Sequence, residues 1–228
     1  METTAGASRI PGVLEAIATT RAIRRYRLDE PISEDDLAAI LFAASRAPTG
    51  SNRQTFRFLV LRRGERALRA KAVLGQAFRQ AWQVKRAEDG YDPEAGDSPR
   101  ARMARTMEHF VAHFEDTPVV VLVCLVRYRA HNPMEGASVY PACQNLLLAA
   151  RALGYGGVLT MWHSLAEEQL REVLGIPDDV FLAATIPLGR PVGRHGPVRR
   201  RPLAELVFED GWEEPAAWAR EPEGLPVP

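Results

Sequence analysis

The sequence predicts a single domain of mixed helical and strand structure, and three features support that class. Apolar segments at helical spacing alternate with short strand-like runs, which indicates an α+β or α/β domain but leaves the strand order open. Of the 228 residues, 46% are hydrophobic, enough for a substantial core. No internal repeat appears, and the length allows a single domain or two small ones; we expect one domain over residues 1–228.

The first elements are two helices and a strand. Val13–Thr19 is predicted as a short helix that leads into a run of arginines. Ser33 suits the N-cap of a second helix, because the acidic residues that follow place negative charge on its first turn. Apolar residues recur there at helical spacing until Pro48 closes the segment, and Phe56–Leu61 follows as a strand.

The middle of the chain predicts two more helices and a buried strand. Ala67–Trp82 is predicted as a helix, and Gln83–Pro99, which is polar and contains glycines and prolines, as a mobile excursion. A further helix is expected over about Arg100–Phe114. Val119–Val126 is an uninterrupted apolar run rich in valine, the pattern of a strand covered on both faces.

Ser138–Leu153 is predicted as a helix buried nearly all round, because it carries no charge before Arg151. It is too short to span a bilayer, so we expect a central core helix or a dimer interface.

The remaining elements are shorter. We expect strands at Val158–Trp162 and Val180–Leu188, and between them a helix, Leu165–Leu174, that Ser164 and Glu167 would start as a capping box.

Composition excludes several classes of function. The formal net charge is zero, so the whole molecule has no electrostatic attraction to nucleic acid or to an anionic membrane. No apolar run reaches the roughly 18–20 residues of a membrane span, and Met1–Pro11 lacks the features of a signal peptide. We therefore expect a cytoplasmic protein with no nucleic-acid or membrane partner. Cys124 and Cys143 lie in apolar surroundings, so we expect two buried, reduced thiols.

Several familiar sites are poorly supported. His109 and His113 share one helical face, but no third ligand of useful spacing accompanies them, so we expect no metal. Cys143 with His163 would make a nucleophile and a base, but a thiol inside so apolar a helix has a raised pKa. The glycines of Gly154–Gly157 follow a helix instead of joining a strand to one, which makes a poor dinucleotide fingerprint.

Three polar segments form the candidate site: the arginine run Arg21–Arg27, the loop Thr49–Gln54 and the run Arg199–Arg201. Guanidinium groups bind phosphate oxygens in a fork geometry, and Asn and Gln offer a donor beside an acceptor for a heterocycle edge. The segments could converge on an anion that carries a planar body. The alternatives are solvated surface charge and RNA binding, and the neutral charge balance opposes the latter.

In order, these segments resemble the nitroreductase family of flavin-dependent oxidoreductases, over about Val13–Val207. The motifs that carry the resemblance are Arg21-Ala22-Ile23-Arg24-Arg25-Tyr26, Ala47-Pro48-Thr49-Gly50-Ser51-Asn52-Arg53-Gln54, the helix Gln144–Gly154, Gly156-Gly157-Val158-Leu159-Thr160, Ile186-Pro187-Leu188-Gly189-Arg190-Pro191 and Arg199-Arg200-Arg201-Pro202-Leu203. The resemblance implies an α+β fold, with a mixed sheet flanked by helices. It also implies an intertwined homodimer with FMN at the subunit interface. Residues 208–228 would be a C-terminal extension, and Gln83–Pro99 falls where the family varies.

The resemblance also implies which residues bind the cofactor. They are Arg21, Ala22, Arg24, Pro48, Thr49, Gly50, Ser51, Asn52, Gln54, Val158, Leu159, Thr160, Arg199 and Arg200. The arginines would hold the phosphate, and the choice among Arg199, Arg200 and Arg201 stays open. The loop side chains would address the ribityl chain and the ring edge, and Gly50 would let the backbone approach closely. Val158–Thr160 would lie against one face of the ring, with amides near flavin N5.

The implied enzyme takes hydride from NADH or NADPH at flavin N5 and passes it to a small electron-poor acceptor, such as a nitroaromatic or a quinone. No catalytic side chain is assigned, because the flavin does the chemistry. Ala22 stands where members often carry serine, and Thr55-Phe56 stands where many carry Pro-Trp. The alternatives are another flavin reaction (dehalogenation, flavin fragmentation or dehydrogenation) and a flavin-free binding or regulatory protein.

Overall fold

Helices and strands alternate along residues 12–224, the part of the chain that the computed structural model describes. The helices of this range are α1 (Val13–Thr19), α2 (Glu34–Ser45), α3 (Glu65–Asp89), α4 (Pro99–Ala112), α5 (Tyr140–Ala152) and α6 (Glu167–Leu174). Its strands are β1 (Tyr26–Arg27), β2 (Phe56–Leu61), β3 (Val119–Val126), β4 (Gly156–Gly157) and β5 (Val180–Pro191). Met1–Pro11, where the sequence predicts no signal peptide, and the last four residues of the C-terminal extension lie outside the described residues.

The strands form an antiparallel sheet in the order β1–β5–β3–β2, and β4 also pairs with β5. β3 lies in the middle, where Val121 is opposite Val60 of β2 and Ile186 of β5. This strand order is the feature that the sequence patterns left open. Antiparallel pairing throughout distinguishes an α+β domain from the parallel sheet of an α/β domain.

Both faces of β3 are covered, which confirms the prediction from its uninterrupted apolar run. Every residue from Val119 to Leu125 is buried. Val119, Val121, Val123 and Leu125 belong to the core beneath α2 and α5. Val120, Leu122 and Cys124 belong to the core beneath α3 and α4. The alternation of side chains along a strand thus supplies two hydrophobic cores.

The start of α2 confirms the predicted cap. The Ser33 hydroxyl accepts a hydrogen bond from the Asp36 amide at 3.1 Å, and Ile40 is fully buried on the inner face. The helix ends at Ser45, so Pro48 lies in the following loop.

The helix α3 is longer than predicted. It continues past Trp82, its last buried residue, and ends at Gly90, which adopts the left-handed conformation at φ 61°. The prediction that Gln83–Asp89 belong to an excursion is therefore wrong. These residues extend the helix beyond the core, where water covers them and no apolar periodicity is needed. A hydrogen-bonded ion pair of 2.6 Å between Lys85 and Asp89 joins successive turns there.

The connection from α3 to α4 is residues 90–98, and its backbone is held by a side chain of α4. The Arg105 guanidinium donates to the carbonyl oxygens of Pro93 and Gly96, both at 2.8 Å. Ser98 caps α4 by accepting a hydrogen bond from the Ala101 amide at 3.1 Å.

The helix α5 starts at Tyr140, two residues later than predicted, because Pro133–Ser138 form a short 3-10 helix. Its buried residues Ala142, Cys143, Leu146 and Ala150 pack on one side, whereas Gln144 is exposed. The prediction of burial nearly all round is therefore wrong for the single chain. No described helix, α5 included, combines the length and apolar content needed to cross a membrane.

Two predictions around α6 are also wrong. Val158–Trp162 is not a strand: β4 stops at Gly157, and only an isolated bridge follows, from Thr160 to Thr185. Ser164 lies inside a 3-10 helix, and α6 begins at Glu167 without a side-chain cap. The expected capping box does not form, because the 3-10 turn runs directly into the helix.

Candidate functional site

A cavity of about 820 Å³ lies where three distant segments of the chain meet. Its walls are formed by the end of α1 with the arginine run that follows, by Gly157–Leu159, and by Val198 with Arg200–Pro202. Gln144 and Leu147 of α5 also line it. The volume falls within the range of roughly 300–1,000 Å³ that is usual for small-molecule and cofactor sites.

Four arginines line this cavity: Arg21, Arg24, Arg200 and Arg201. Within residues 12–224, none of them forms an ion pair with a carboxylate. Burial lowers the pKa of Arg24, because it removes water that would stabilise the guanidinium charge. Guanidinium groups that form no ion pair within the described residues favour an anionic ligand that can accept several hydrogen bonds.

The cavity wall also carries a carboxylate, that of Glu221. It accepts a hydrogen bond from the Leu203 amide at 2.8 Å, and this bond lowers its pKa. It therefore stays ionised at neutral pH and anchors the C-terminal extension at the rim. Four guanidinium charges against one carboxylate leave the cavity positive.

Backbone hydrogen bonds hold the three segments in place. The Ile23 amide donates to the Gly157 carbonyl at 2.9 Å, which joins the arginine run to β4. The amides of Gly196 and Val198 donate to the carbonyls of Thr19 and Ala18, both at 3.2 Å. The segment with Arg200 therefore lies along the end of α1, which explains how two arginine runs far apart in sequence share one cavity.

The apolar wall of the cavity is Val158 and Leu159, next to Gly157. Val158 is buried, whereas 37% of Leu159 is exposed. The backbone of Gly157 lies so close to β5 that an added Cβ would be 2.5 Å from the Pro187 carbonyl oxygen. A glycine is required at this position by close approach between β4 and β5.

Thr160 lies apart from this wall. Its amide donates to the Thr185 carbonyl at 3.0 Å, and its carbonyl accepts from the Thr185 amide at 2.9 Å. The Thr160 hydroxyl accepts from the Trp162 amide at 3.4 Å. Its polar groups are thus committed to the protein, and the expected contact of its amide with a ring edge is not available in the single chain.

The first three residues of the predicted loop Pro48–Gln54 line a different cavity, and Ser51–Gln54 line neither of the two. Pro48, Thr49 and Gly50 border a space of about 440 Å³ together with Tyr128 and Met134. The two cavities share no lining residue. The single chain therefore brings together the two arginine segments and the Val158–Leu159 wall, but not the loop.

The loop has an unusual backbone. Ser51, Asn52 and Gln54 have φ angles of 52°, 50° and 52°, in the left-handed region that residues other than glycine rarely adopt. Internal hydrogen bonds maintain this shape: the Gln54 amide donates to the Thr49 hydroxyl at 3.0 Å, and the Gln54 side-chain amide donates to Asn52 Oδ1 at 3.3 Å. Clustered strained residues with exposed polar side chains are typical of ligand-binding loops.

Nothing within the single chain requires glycine at position 50, where close approach of the backbone was expected. Its φ lies outside the left-handed region, and an added Cβ would be 3.5 Å from the Ser138 hydroxyl, an ordinary contact. Its amide donates to that hydroxyl at 3.1 Å. A requirement for glycine would have to come from a group outside this chain.

The buried thiols and histidine lack the properties of a catalytic pair. Burial raises the pKa of Cys143 to about 12 and that of Cys124 to about 11. His163 is buried with both ring nitrogens engaged, Nε2 with the Leu182 carbonyl at 2.9 Å and Nδ1 with the Thr185 hydroxyl at 3.1 Å. The prediction of two buried, reduced thiols is confirmed.

Of the predicted cofactor residues, Arg21, Ala22, Arg24, Val158, Leu159 and Arg200 line the arginine cavity. Arg199 does not, and its carbonyl accepts a hydrogen bond from the Arg200 side chain at 2.8 Å. Sequence reasoning left Arg201 open and did not assign Gln144 to the site. The signal for Gln144 was present: with Asn145 it forms a pair of polar residues in a mostly apolar helix.

These features define a small α+β protein with a positive, cofactor-sized cavity. A protein-family model described as the nitroreductase family matches residues 17–190, most of the chain. The chain belongs to the nitroreductase family, which is a family of oxidoreductases. The predicted family and the predicted α+β class are confirmed, although the sheet of the described residues is antiparallel throughout and not mixed.

Relatives of known name support this membership. The chain is 30% identical over 203 residues to an NADH dehydrogenase of Thermus thermophilus, a match that covers 82% of this chain and 91% of the relative. It is 29% identical over 204 residues to a nitrobenzene nitroreductase of Ectopseudomonas oleovorans, covering 78% and 86%. A Desulfovibrio desulfuricans protein solved in complex with FMN has a TM-score of 0.63 and 30% identity, covering 89% of this chain and 98% of that one.

Proposed function

We propose that this protein is an FMN-dependent oxidoreductase that uses NADH or NADPH to reduce a small electron-poor acceptor, such as a nitroaromatic or a quinone. The observation that carries the proposal is the convergence of Arg21, Arg24 and Arg200 on one cavity of about 820 Å³, with no ion pair to a carboxylate within residues 12–224. The relatives named above include an NADH dehydrogenase, a nitroreductase and an FMN complex.

The residues of the cavity suit FMN. A phosphate monoester would sit among the guanidinium groups, each of which presents parallel donors to its oxygens. Arg21, Arg24 and Arg200 are the proposed phosphate ligands, and Arg201 reaches the same cavity. Ala22 offers no hydroxyl to the phosphate, so its contribution is limited to the backbone.

The isoalloxazine would pack on the apolar wall. Val158 and Leu159 give one face of the ring a hydrophobic support and exclude water from it. Leu147 of α5 lies on the same cavity and extends this apolar surface. Because β4 and β5 approach each other closely at Gly157, the wall is backed by the sheet and holds a fixed position.

The strained loop Pro48–Gln54 is assigned to the cofactor of a partner subunit. Within one chain the loop and the arginine cavity are separate, so a two-fold homodimer would complete each site with the loop of the other protomer. The helix α1 supports such an interface, because Val13, Leu14 and Ile17 are 73%, 62% and 49% exposed. In this arrangement Asn52 and Gln54 would contact the ribityl chain and ring edge.

FMN, when bound, would supply the redox chemistry that links the nicotinamide to the acceptor. The residues of the protein would position the cofactor and stabilise charge near it. The Arg24 cation favours added negative charge nearby, and the apolar wall keeps water from the ring. No side chain is assigned as an acid or base.

The first experiment is the colour and reactivity of the purified protein. We expect a yellow preparation that NADH or NADPH bleaches anaerobically, followed by recovery of the colour on addition of nitroaromatics or quinones in stopped flow. Bleaching without turnover of any acceptor in the panel would favour dehalogenation, flavin fragmentation or dehydrogenation. A colourless protein that also fails to bind added FMN would overturn the proposal in favour of a binding or regulatory protein.

Two substitutions test the placement of the phosphate. Arg24→Ala and Arg200→Ala should each weaken FMN binding by roughly ten-fold or more, since each removes a charge-assisted hydrogen bond. Arg69→Ala, which removes an exposed arginine of α3, is the matched control and should leave FMN affinity unchanged. Parent-like affinity in both site variants would show that the phosphate lies elsewhere.

A further inference from the structure

His195 lies where the third wall of the arginine cavity meets the other two. It follows β5 and comes five residues before Arg200 in the sequence. The residues after it run along the end of α1 through the Gly196–Thr19 and Val198–Ala18 hydrogen bonds. Its side chain is half-buried, although it does not line the cavity itself.

Both ring nitrogens of His195 contact the backbone of another segment. Nε2 lies 2.9 Å from the Tyr155 carbonyl oxygen, directly before β4. Nδ1 lies 3.4 Å from the Arg21 amide, at the start of the arginine run. A carbonyl can only accept and an amide can only donate, so the neutral Nε2–H tautomer satisfies both contacts at once.

The ring is also packed tightly against this junction. A Cβ added to Gly156 would lie 3.0 Å from His195 Nε2 and 2.5 Å from Ile23 Cγ1. The imidazole, the arginine run and β4 therefore touch around a residue without a side chain. No larger residue fits between them, and the geometry allows little displacement of the ring.

Burial, with a smaller contribution from neighbouring charges, favours the neutral form of the ring. Burial, followed by the positive charges of Arg151 and Arg21, lowers the pKa of His195. The hydrogen bond to the Tyr155 carbonyl acts in the opposite direction. At neutral pH the tautomer that joins the two backbones is thus the stable one.

We propose that His195 is a positioning residue for the cofactor phosphate: by joining Arg21, Tyr155 and its own segment, it sets Arg200 and Arg201 opposite Arg21 and Arg24. It does not touch the phosphate. The proposal rests on the proposed function, because it takes the arginine cavity as the FMN site. Among the described residues, no other side chain makes hydrogen bonds to both the start of the arginine run and the segment before β4.

A double-mutant cycle on FMN affinity tests this role. His195→Ala and Arg200→Ala should each weaken FMN binding by about ten-fold, and the double variant should be only slightly weaker than the poorer single variant. The reason is that Arg200 no longer reaches the phosphate once His195 is lost. The matched cycle of His195→Ala with Arg69→Ala should show independent effects.

Independent losses would overturn the proposal. If the double variant binds FMN about 100-fold more weakly than the parent, the two effects multiply and Arg200 keeps its position without His195. His195→Gln retains a donor in place of Nε2 and should recover part of the affinity. A general loss of stability would instead weaken all variants without coupling to Arg200.

A second measurement needs no cofactor. In the apoprotein labelled with nitrogen-15, imidazole spectra at pH 7 should show His195 as the neutral Nε2–H tautomer, and His195→Ala should shift the Arg21 amide resonance. A doubly protonated ring or the Nδ1–H tautomer would overturn the proposal. If the parent fails to bind FMN while these spectra agree, the proposed function fails and the junction of the three walls stands.

Discussion

Replacing Gly157 by alanine tests how the apolar wall of the cavity is held against the sheet. The new methyl group would lie 2.5 Å from the Pro187 carbonyl oxygen and 2.7 Å from Leu188 Cδ2. Favourable contacts between carbon atoms lie at about 3.5–4.0 Å, so β4 would have to move by about 1 Å. Pro187 belongs to β5, which is paired with β3, and it has little freedom to yield.

Overpacking of this kind usually costs about 1–3 kcal/mol. For a chain of this size, a loss of about 2 kcal/mol corresponds to a fall in Tm of roughly 4–8 °C. Displacement of β4 also moves Val158 and the Ile23–Gly157 hydrogen bond, so we expect at least about a ten-fold loss of FMN affinity. Thermal unfolding at one fixed protein concentration and fluorescence titration of FMN measure the two effects.

Gly193→Ala is the control for this substitution. A Cβ at Gly193 has nothing within 4 Å, and its φ lies outside the left-handed region. It should change the unfolding free energy by less than about 0.5 kcal/mol and leave FMN binding unaltered. Gly157→Ala protein with the Tm and affinity of the Gly193→Ala protein would refute the close packing of β4 on β5.

Three further predictions concern stability and reactivity. Ser33→Ala should lower the free energy of unfolding, measured in urea, by about 1 kcal/mol. Ser164→Ala, which removes a hydroxyl that caps no helix, should change it by less than about 0.5 kcal/mol. Equal losses in the two variants would contradict the assigned helix starts. Burial raises the thiol pKa to about 11 at Cys124 and about 12 at Cys143. A thiol reagent at pH 8 should therefore modify both cysteines in denaturant and neither cysteine in the folded protein. Rapid modification of the folded protein would disprove their burial. Burial lowers the pKa of His163 below the value of about 6.5 in the unfolded chain, so its contribution to stability is complete above that pH and is lost as pH falls through the folded-state pKa. Between pH 8 and pH 5, the free energy of unfolding in urea should fall less for His163→Gln than for the parent. An identical pH dependence in the two proteins would contradict this prediction.

The sequence predicted best those elements that a single local cause determines. The valine run of β3 has no polar residue, so only a strand covered on both faces suits it. Ser33 with its acidic followers determines the start of α2. Apolar periodicity shows a helix only as far as its buried residues extend. The exposed, polar part of α3 after Trp82 has no such pattern, so its extension to Asp89 was missed although Gly90 marked its end.

The site was predicted in part for a related reason. The arginine segments were found as motifs, but their convergence depends on hydrogen bonds such as that from Ile23 to Gly157, which no local pattern encodes. Thr160 was assigned a ligand contact, yet strand-like pairing with Thr185 uses its backbone. The left-handed backbone of Asn52 and Gln54 has no signature in the sequence, because neither residue requires it.

The central position of β3 has a consequence for how the chain acquires its structure. Its hydrogen-bonding partners on both edges, β2 and β5, come from distant parts of the chain, on opposite sides of β3 in sequence. Large loops must close before either pairing forms, which slows folding relative to a helical protein of equal stability. Until then the valine-rich segment is exposed and prone to self-association, so refolding yield should fall steeply as protein concentration rises.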